Sequence, residues 1–327
     1  VRYYHTGEGA YDEAEQKIEQ LRLQIANQKV LLGLSGGSDS STVAYLLARV
    51  FEGWVGLPHI RGLYIRGIDR PDDEAHVREY FGGKPWLDLK IVDATDRFLA
   101  VLAGVTDARG KRLAMRGVYR DILDEEAREF GASFIAQGTL ATDISESGGG
   151  YQSRAVKAVI KVHHNVGLTL SKPELTPLAD CVKDGGRNIG RAVGVPEALL
   201  VRHPFPGPGM VVRILGEVTR EKLEMARAVD EIYIGELRRW KLYETIWQAG
   251  AVVTQSVTTC TKGDGAATGV EVALWAKWSV TGFTAQAAEL PYPFLKHVTR
   301  RIGNEIKGVG RVTYDLTDKP PATIEWE

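Results

Sequence analysis

Hydrophobic positions in the first half of the chain follow two alternating spacings. In the first predicted helix, 11–27, apolar side chains recur at helical spacing at Ala14, Ile18, Leu21 and Ile25. The next run, Lys29–Leu34, is short and almost wholly apolar, which predicts a buried strand. The two patterns then repeat, with strands predicted at Gly62–Ile65, Leu87–Val92 and Ser133–Ala136 and helices at 41–47, Asp73–Phe81, Asp96–Leu102 and Lys111–Phe130. This alternation predicts an α/β fold with a doubly wound, mainly parallel sheet that binds ligands at the carboxyl ends of its strands.

The second half of the chain has a different pattern. The stretch 203–209 (HPFPGPG) is too rich in proline and glycine for a helix or a central strand, so we place a domain boundary there. The predicted domains are 1–203 and 204–327. The later segments are helices at Arg220–Arg239 and Pro293–Ile306 and strands at Ala251–Thr258, Val270–Leu274 and Arg311–Leu316. They predict a smaller α+β domain with antiparallel pairing.

Composition excludes several classes of protein. The 327 residues include 41 Lys and Arg against 42 Asp and Glu, so no basic field favours nucleic acid, and we expect no nucleic-acid partner. No apolar run approaches the ~20 residues that span a bilayer, so we expect no membrane segment. Cys181 and Cys260 lie far apart, which argues against a disulfide framework and favours a reducing, cytoplasmic setting.

The segment with the clearest chemistry lies between the first strand and the second helix. We call residues 35–41 (SGGSDSS) the pyrophosphate loop. Its two glycines allow a tight turn that gathers backbone N–H groups, and the following helix N-terminus adds partial positive charge, so the loop suits phosphate. The serine hydroxyls add donors, whereas Asp39 would repel phosphate unless Mg²⁺ lay between them. The spacing is not that of a Walker P-loop.

The loop resembles the SGGxDS motif of the N-type ATP pyrophosphatases, and later segments resemble the ATP-pyrophosphatase subunit of GMP synthase along nearly the whole chain. The matching segments are Val92–Ala94, Asp96–Leu99, Leu102–Asp107, Gln137–Leu140, Asp143, Glu146–Ser147, Ile160–Lys161, His163–Gly167, Arg202–Gly209, Gly216–Thr219, Tyr314–Asp315 and Lys319–Glu327. The resemblance implies an adenine nucleotide alpha hydrolase-like domain followed by a smaller domain that forms a homodimer.

The resemblance also implies a reaction in purine biosynthesis. In that family, the O2 atom of xanthosine 5′-monophosphate (XMP) attacks the α-phosphate of Mg·ATP, pyrophosphate leaves, and ammonia displaces AMP to give GMP. ATP is then a co-substrate and Mg²⁺ a cofactor.

The residue roles carried over from the family fall into five groups. ATP and pyrophosphate would be bound by Ser35, Gly36, Gly37, Ser38, Asp39, Ser40, Ser41, Gly138 and Thr139. Lys161 and Asp39 would be catalytic, and the metal ligands would be Asp39, Asp143 and Glu146. A lid would contain His163, His164 and Asn165. The substrate nucleotide would contact Arg202, Lys319, Thr323, Ile324 and Glu325.

Departures from the family keep other interpretations open. The resemblance does not include the glutamine amidotransferase part, so ammonia would come from solution or from a separate amidotransferase subunit. The sequence differs from the usual family pattern at 66–69, at Gly185-Gly186, after the histidine pair at Gly167-Leu168, and at 260–284. One alternative is a paralogue that activates another purine or nucleoside carbonyl or uses another nucleophile. Another is a nucleotide-binding regulatory protein without turnover.

Overall fold

The chain forms two compact units. The computed structural model describes residues 7–54, 56–141, 168–262, 265–279 and 284–327. Unit 1 comprises Val1–Gly67, Asp73–Thr95 and Arg112–Arg202, and unit 2 comprises Ile68–Asp72, Asp96–Lys111 and His203–Glu327. The short segments Ile68–Asp72 and Asp96–Lys111 thus belong to the same unit as His203–Glu327.

Unit 1 is built on a parallel sheet. Its strands are β1 (Val30–Gly33), β2 (Ile60–Arg66), β3 (Leu87–Asp93), β4 (Phe134–Ala136) and β5 (Glu174–Leu175). Their order is β3-β2-β1-β4-β5, and every pair is parallel. The α/β fold with a parallel sheet is therefore confirmed. The two-residue β5 is too short to carry a periodic pattern, and the sequence analysis did not predict it.

Five helices up to residue 130 agree with the predicted periodicity, and two short helices after residue 180 were not predicted from it. They are α1 (Gly7–Ile25), α2 (Ser38–Val50), α3 (Asp73–Phe81), α4 (Thr95–Leu102), α5 (Ala108–Phe130), α6 (Lys183–Ala192) and α7 (Glu197–Leu200). The predicted apolar face of α1 is buried, with Ile18 and Ile25 fully inaccessible. These side chains join the core cluster that includes Val43, Leu46 and Leu47 of α2. Burial of such an apolar stripe is the main stabilisation of an amphipathic helix.

Helix α6 forms despite two adjacent glycines near its start, each of which costs a helix about 1 kcal/mol. Close packing offsets this cost. An added Cβ at Gly190 would lie 2.6 Å from Thr42 Oγ1 on α2, so the glycine lets the two helices approach closely. Ile189, beside it, is fully buried. Packing of this face therefore outweighs the weak local propensity.

Unit 2 contains a mixed sheet and two long helices. They are α8 (Arg220–Arg239), β6 (Gln248–Lys262), β7 (Gly265–Trp278), β8 (Gln286–Ala287), α9 (Tyr292–Glu305) and β9 (Val309–Asp315), with 3₁₀ turns at Gly209–Arg213 and Tyr243–Thr245. Strand β7 pairs antiparallel with β6, as predicted, and also with the two-residue β8, which the sequence did not predict. It pairs parallel with β9, which the sequence analysis did not predict. Parallel neighbours need a crossover connection, and the segment between β7 and β9 contains α9.

None of the helices in the described ranges combines the length and the hydropathy that a bilayer-spanning segment needs.

Candidate active site

The pyrophosphate loop lies at the point where the sheet of unit 1 reverses its strand order. Strand β1 is central, β2 pairs on one side of it, and β4 pairs on the other. The loop follows β1, and Gly138 and Thr139 follow β4. In open α/β sheets the crevice at such a switch point binds ligands. The structure thus brings together two segments that the sequence analysis assigned separately to ATP.

Gly36 gives the loop its shape. Its φ of +74° lies in the left-handed region, and an added Cβ would be 2.7 Å from Val77 Cγ2 on α3. Both the backbone conformation and the packing therefore require glycine here. Gly37 is the N-cap of α2. Because glycine has no side chain, it makes no capping hydrogen bond to the first turn of the helix. The orphan N–H groups of this turn are the donors that an anion at a helix N-terminus uses.

Gly138 holds a second backbone segment against the first turn of α2. An ideal Cβ on Gly138 would lie 2.7 Å from the Ser40 nitrogen and 2.8 Å from the Asp39 carbonyl carbon. No side chain fits between these two backbones. Thr139, the next residue, is buried at 3% exposure beside this contact.

Ser38 Oγ donates to Asp39 Oδ1 at 2.8 Å, and the other hydroxyl groups of the site fall into two sets. Ser35 and Ser40 bond to each other through their Oγ atoms at 3.0 Å, and Ser40 Oγ also accepts from the Ser35 N–H at 3.2 Å. These bonds brace the loop. By contrast, Ser41 Oγ and Thr139 Oγ1 are buried and have no hydrogen-bond partner among the described residues. A buried polar atom without a partner is costly, so these two hydroxyls are suited to a ligand.

Two cationic side chains of unit 1 lie at the loop. Lys183, at the start of α6, places Nζ 3.8 Å from Asp39 Oδ2. Arg202 donates from Nη2 to Asp73 Oδ1 at 2.6 Å, and its Nη1 is 3.9 Å from an ideal Cβ on Gly36. The guanidinium of Arg202 therefore lies beside the loop, and its assignment to the substrate nucleotide stays a prediction. Positive charge here suits a leaving pyrophosphate.

Six predicted site residues lie outside the described residues. They are Asp143, Glu146, Lys161, His163, His164 and Asn165. The altered segment 260–284 is also described only in part.

We call residues 315–327 the C-terminal tail, and its predicted nucleotide contacts lie in unit 2. Glu325 is 6% exposed. Its Oε2 accepts from Arg213 Nε at 3.1 Å, and its Oε1 accepts from Arg213 Nη2 and Gln248 Nε2, each at 2.9 Å. The tail therefore ends in a buried ion pair, a feature that the sequence analysis did not predict.

The other predicted tail residues differ in exposure. Ile324 is 7% exposed and packs in a cluster with Val252 and Trp275. Thr323 is exposed, and its hydroxyl donates to the Glu325 carbonyl. The backbone of Lys319 exchanges hydrogen bonds with Ala285, at 2.8 and 3.0 Å. These bonds fix the course of the tail.

Further ion pairs anchor the tail. Lys277 is fully buried and donates to Asp315 Oδ2 at 3.0 Å and to the Thr317 carbonyl at 2.7 Å. Lys111, also fully buried, pairs with Glu327. Burial lowers the pKa of Lys111, and the attraction of Glu327 offsets this only in part.

The two cysteines are free thiols. Burial raises the pKa of the Cys181 thiol to about 12, so it is not a thiolate at neutral pH. It lies with Glu13 and Asp180 in a group with metal-ligand spacing. The Lys17 ammonium already contacts this group, 2.6 Å from Asp180 Oδ1, and supplies the positive charge.

A surface cavity of about 410 Å³ lies away from the predicted site. Its lining consists of Tyr45, Ala48, Arg49, Phe51, Glu52, Gly53, Trp54, Pro85, Trp86 and Val193. It contains no predicted site residue. The loop, with its backbone donors and unpartnered hydroxyls, is the better candidate for the active site.

The sequence analysis missed several residues that shape the site. Asp73, Lys183 and Arg213 are ordinary charged residues in sequence, and nothing local marks them as partners of Arg202, Asp39 and Glu325. Gln248 is similar, since only the pairing with Glu325 reveals its position. Arg213 lies close to the family-like segment Arg202–Gly209, and Lys183 lies close to the departure at Gly185-Gly186. Gln248 has no such neighbour.

Comparison with known proteins supports the resemblance. Residues 235–326 match the family model for the GMP synthase C-terminal domain, and residues 11–80 match the model for NAD synthase. The glutamine-hydrolyzing GMP synthase of Thermotoga petrophila is 42% identical over 97% of this chain and 62% of its own length. That of Aquifex aeolicus is 42% identical over 97% of this chain and 61% of its own length. The predicted resemblance to GMP synthase is confirmed, and the chain spans less than two thirds of these relatives.

Among solved structures, the NMN synthetase of Francisella tularensis covers 68% of this chain and 82% of that chain, with 16% identity and a TM-score of 0.46. A similarity this weak identifies neither substrate nor site residues.

Proposed function

Since the chain carries a GMP synthase C-terminal domain and is 42% identical to a GMP synthase over 97% of its length, we propose that it converts XMP to GMP. In this reaction ATP adenylates O2 of the purine, and ammonia then displaces AMP. The relatives' names favour this function over a regulatory protein or a different acceptor.

The observation that carries the proposal is the pyrophosphate loop at the N-terminus of α2. Its backbone donors, the braced Ser35 and Ser40, and the unpartnered hydroxyls of Ser41 and Thr139 form a site for phosphate oxygens. An ATP pyrophosphatase needs such a site because negative charge builds on the β- and γ-phosphates as the bond to the α-phosphorus breaks. Preorganised donors stabilise this charge.

The two steps balance as follows. O2 of XMP forms a bond to the α-phosphorus while the bond to the bridging oxygen of pyrophosphate breaks, and pyrophosphate leaves. Ammonia then adds at C2 and gives up a proton to solvent, the bond between C2 and O2 breaks, and AMP leaves with O2 on its phosphate. Arg202, with Lys161 from outside the described residues, would neutralise the leaving pyrophosphate.

We propose Asp39, Asp143 and Glu146 as the ligands of Mg²⁺. Asp39 has a side chain 25% exposed at the loop, and its carboxylate oxygens are donors that Mg²⁺ prefers. When bound, the ion would neutralise phosphate charge. Lys183 Nζ lies 3.8 Å from Asp39 Oδ2, which supports positive charge beside this carboxylate.

For the substrate nucleotide we propose contacts from the C-terminal tail, namely from Lys319, Thr323, Ile324 and Glu325. The intermediate exposure of Lys319 supports a phosphate contact. We propose that His163, His164 and Asn165 belong to a lid.

Ammonia is the remaining substrate. The relatives are named glutamine-hydrolyzing, and this chain spans 62% of the first of them. We propose that the chain takes ammonia from solution or from a separate glutamine amidotransferase subunit. Ammonium should therefore support turnover without glutamine.

The test is pyrophosphate release from Mg·ATP with XMP and ammonium, with the purine product identified by mass. The proposal predicts one GMP per pyrophosphate. A folded protein that binds ATP but releases pyrophosphate only with another purine nucleotide would contradict XMP as the acceptor. Absence of release with every acceptor would favour a regulatory protein.

The loop assignment has its own test in Asp39→Ala. This variant should lose pyrophosphate release while its thermal unfolding remains that of the wild type. Asp184→Ala is the matched control, because that carboxylate lies nearby on α6 with a side chain 85% exposed. Unchanged turnover in Asp39→Ala would remove the assignment.

We also propose a cytoplasmic homodimer formed through unit 2. Residues 255–261 of β6 and 265–268 of β7 are exposed or half-buried, including Val257 at 67%. Two free thiols suit a reducing compartment. Sedimentation analysis should give twice the mass of the chain, and Val257→Asp should lower that mass at micromolar concentration.

A further inference from the structure

Arg213, like Lys111 and Lys277, is a fully buried charged side chain that pairs with the tail. It ends the 3₁₀ turn Gly209–Arg213, and its side chain has 0% exposure. Two of its nitrogens bind the two carboxylate oxygens of Glu325, and Nη1 donates to Asp230 Oδ1 at 2.9 Å. A guanidinium offers this planar, forked geometry, and a lysine ammonium does not.

The surroundings fix where the guanidinium lies. Its central carbon is 5.0 Å from the ring centre of Phe205 and 5.3 Å from that of Trp275. On β6, an ideal Cβ at Gly250 would be 2.7 Å from Arg213 Cζ and 2.7 Å from Nη1. Position 250 must therefore lack a side chain for Arg213 to occupy this place. Because the guanidinium is enclosed this closely, it fixes the orientation of the Glu325 carboxylate that it binds.

Glu325 keeps acceptor capacity despite these bonds. An ionised carboxylate has about four acceptor positions, two on each oxygen. Oε1 uses both of its positions, for Arg213 Nη2 and Gln248 Nε2. In the described part of the chain, Oε2 accepts only from Arg213 Nε. One acceptor position remains, on an oxygen whose direction Arg213 sets.

We infer that Arg213 is a positioning residue for the substrate nucleotide, because it orients Glu325 Oε2 to accept a hydrogen bond from an N–H or O–H group of the purine nucleotide. This inference rests on the proposed function. Arg213 itself need not touch the nucleotide. Gln248 and Gly250 complete the arrangement, the first by occupying Oε1 and the second by admitting the guanidinium.

The first experiment is a double-mutant cycle with Arg213→Lys and Glu325→Gln, measuring KM for XMP and for ATP and the affinity for XMP by calorimetry. Each single variant should lower the affinity for XMP by about 10- to 100-fold, the range expected for one hydrogen bond to a charged group. KM for ATP should stay within about twofold. The double variant should bind XMP no more weakly than Glu325→Gln alone does, since Arg213 acts through Glu325.

The second experiment displaces the guanidinium without removing any charge. Gly250→Ala should weaken XMP by a similar factor, about 10-fold or more, because its Cβ would overlap Arg213. Gly235→Ala on α8 is the matched control, since an added Cβ there meets no atom within 4 Å. Its XMP affinity should be that of the wild type.

Several results would overturn the inference. Multiplicative effects in the double variant would show that Arg213 acts independently of Glu325. An equal rise in KM for ATP would show a general structural role. If Arg213→Lys does not fold, Glu325→Gln still decides, because it leaves Arg213 paired with Asp230, and unchanged XMP affinity in it refutes the inference.

The two proposals fail in distinguishable ways. A wild-type protein that neither binds nor converts XMP overturns the proposed function and this inference together. A wild type that makes GMP, with variants that bind XMP normally, overturns this inference alone.

Discussion

The pyrophosphate loop and the C-terminal tail carry the proposed contacts to two different nucleotides, and they are built in opposite ways. In the loop, backbone makes the site, because Gly36 and Gly138 leave no room for side chains and two buried hydroxyls have no partner among the described residues. In the tail, long charged side chains are paired and buried, as in Lys277 with Asp315. The loop is left open to a ligand, whereas the tail is held in place by the protein's own charges.

This contrast separates two physical requirements. A group that binds phosphate needs unsatisfied donors in a fixed place, and a turn at a helix N-terminus supplies them locally. A segment outside the helices and strands needs to be ordered, which costs conformational entropy that local structure does not offset. Ion pairs from distant positions supply the order, since Arg213 lies 112 positions from Glu325.

The largest expected effect is on stability, in the tail. Lys277→Met should lower the free energy of unfolding by about 3 kcal/mol, because it leaves the largely enclosed Asp315 carboxylate without its cationic partner. The matched control is Arg191→Met, which breaks the exposed pair with Glu197 and should cost at most about 1 kcal/mol. Urea unfolding measures both. Equal losses of stability in the two variants would show that the buried ion pair of the tail contributes no more than the exposed pair.

The same pair predicts a pH dependence. The pKa of Asp315 is lowered because hydrogen bonds from Thr317 and Lys277 outweigh the opposing effect of burial. The folded pKa thus lies below the ordinary value of 3.8. The pair's contribution to stability is complete above that value and is lost as pH falls through the folded pKa. Lys277→Met should therefore lose less stability than the wild type on acidification from neutral pH to pH 3.

The next effect is on turnover, in the loop. Gly36→Ala should slow pyrophosphate release by about 100- to 1,000-fold, since the strained φ and the contact with Val77 displace backbone donors. Gly194→Ala is the control, because its φ of +84° carries similar strain but an added Cβ meets nothing within 4 Å. That control should lose about 1–2 kcal/mol of stability and keep its activity. Equal activity in both variants would contradict a backbone-built site.

A smaller effect separates binding from stability. Ser41→Ala and Thr139→Val should each lower kcat/KM for ATP by about 10-fold, the value of one hydrogen bond to a charged phosphate. Neither should destabilise the fold by more than about 0.5 kcal/mol, because each removes a buried hydroxyl without a partner in the described chain. Calorimetric unfolding and steady-state kinetics give the two numbers. A large loss of stability would assign these hydroxyls to the fold.

The smallest effect concerns the helix that departs from the family pattern. Gly185→Ala should stabilise the protein by about 0.5–1 kcal/mol, because an added Cβ there meets nothing closer than 3.9 Å and helix propensity improves. Gly190→Ala, five positions later on the same helix, should destabilise it, since its Cβ would overlap Thr42 and Leu200. If both variants changed the free energy of chemical unfolding in the same direction, this would contradict the packing of α6 on α2.

The same contrast explains what could be predicted from the sequence. The strands β1 to β4 and the loop were predictable because apolar runs and glycine turns act over a few residues. Gly36 needs its left-handed φ wherever the loop occurs, so its role is visible locally.

The parallel pairing of β9 with β7 and the position of Arg213 were not predictable in this way. Both depend on contacts between segments far apart in the chain, and no local pattern encodes them. The location of Arg202 beside Gly36 is similar, because it follows from how unit 1 folds back on the loop.

The central claim, that O2 of XMP attacks the α-phosphate, has a direct test in isotope transfer. XMP labelled with oxygen-18 at O2 would be turned over with Mg·ATP and ammonium, and the AMP and purine products would be analysed by mass. We expect the label in the phosphate of AMP, in one-to-one ratio with GMP. Label that remains in the purine product, or AMP that carries none, would contradict adenylation at O2.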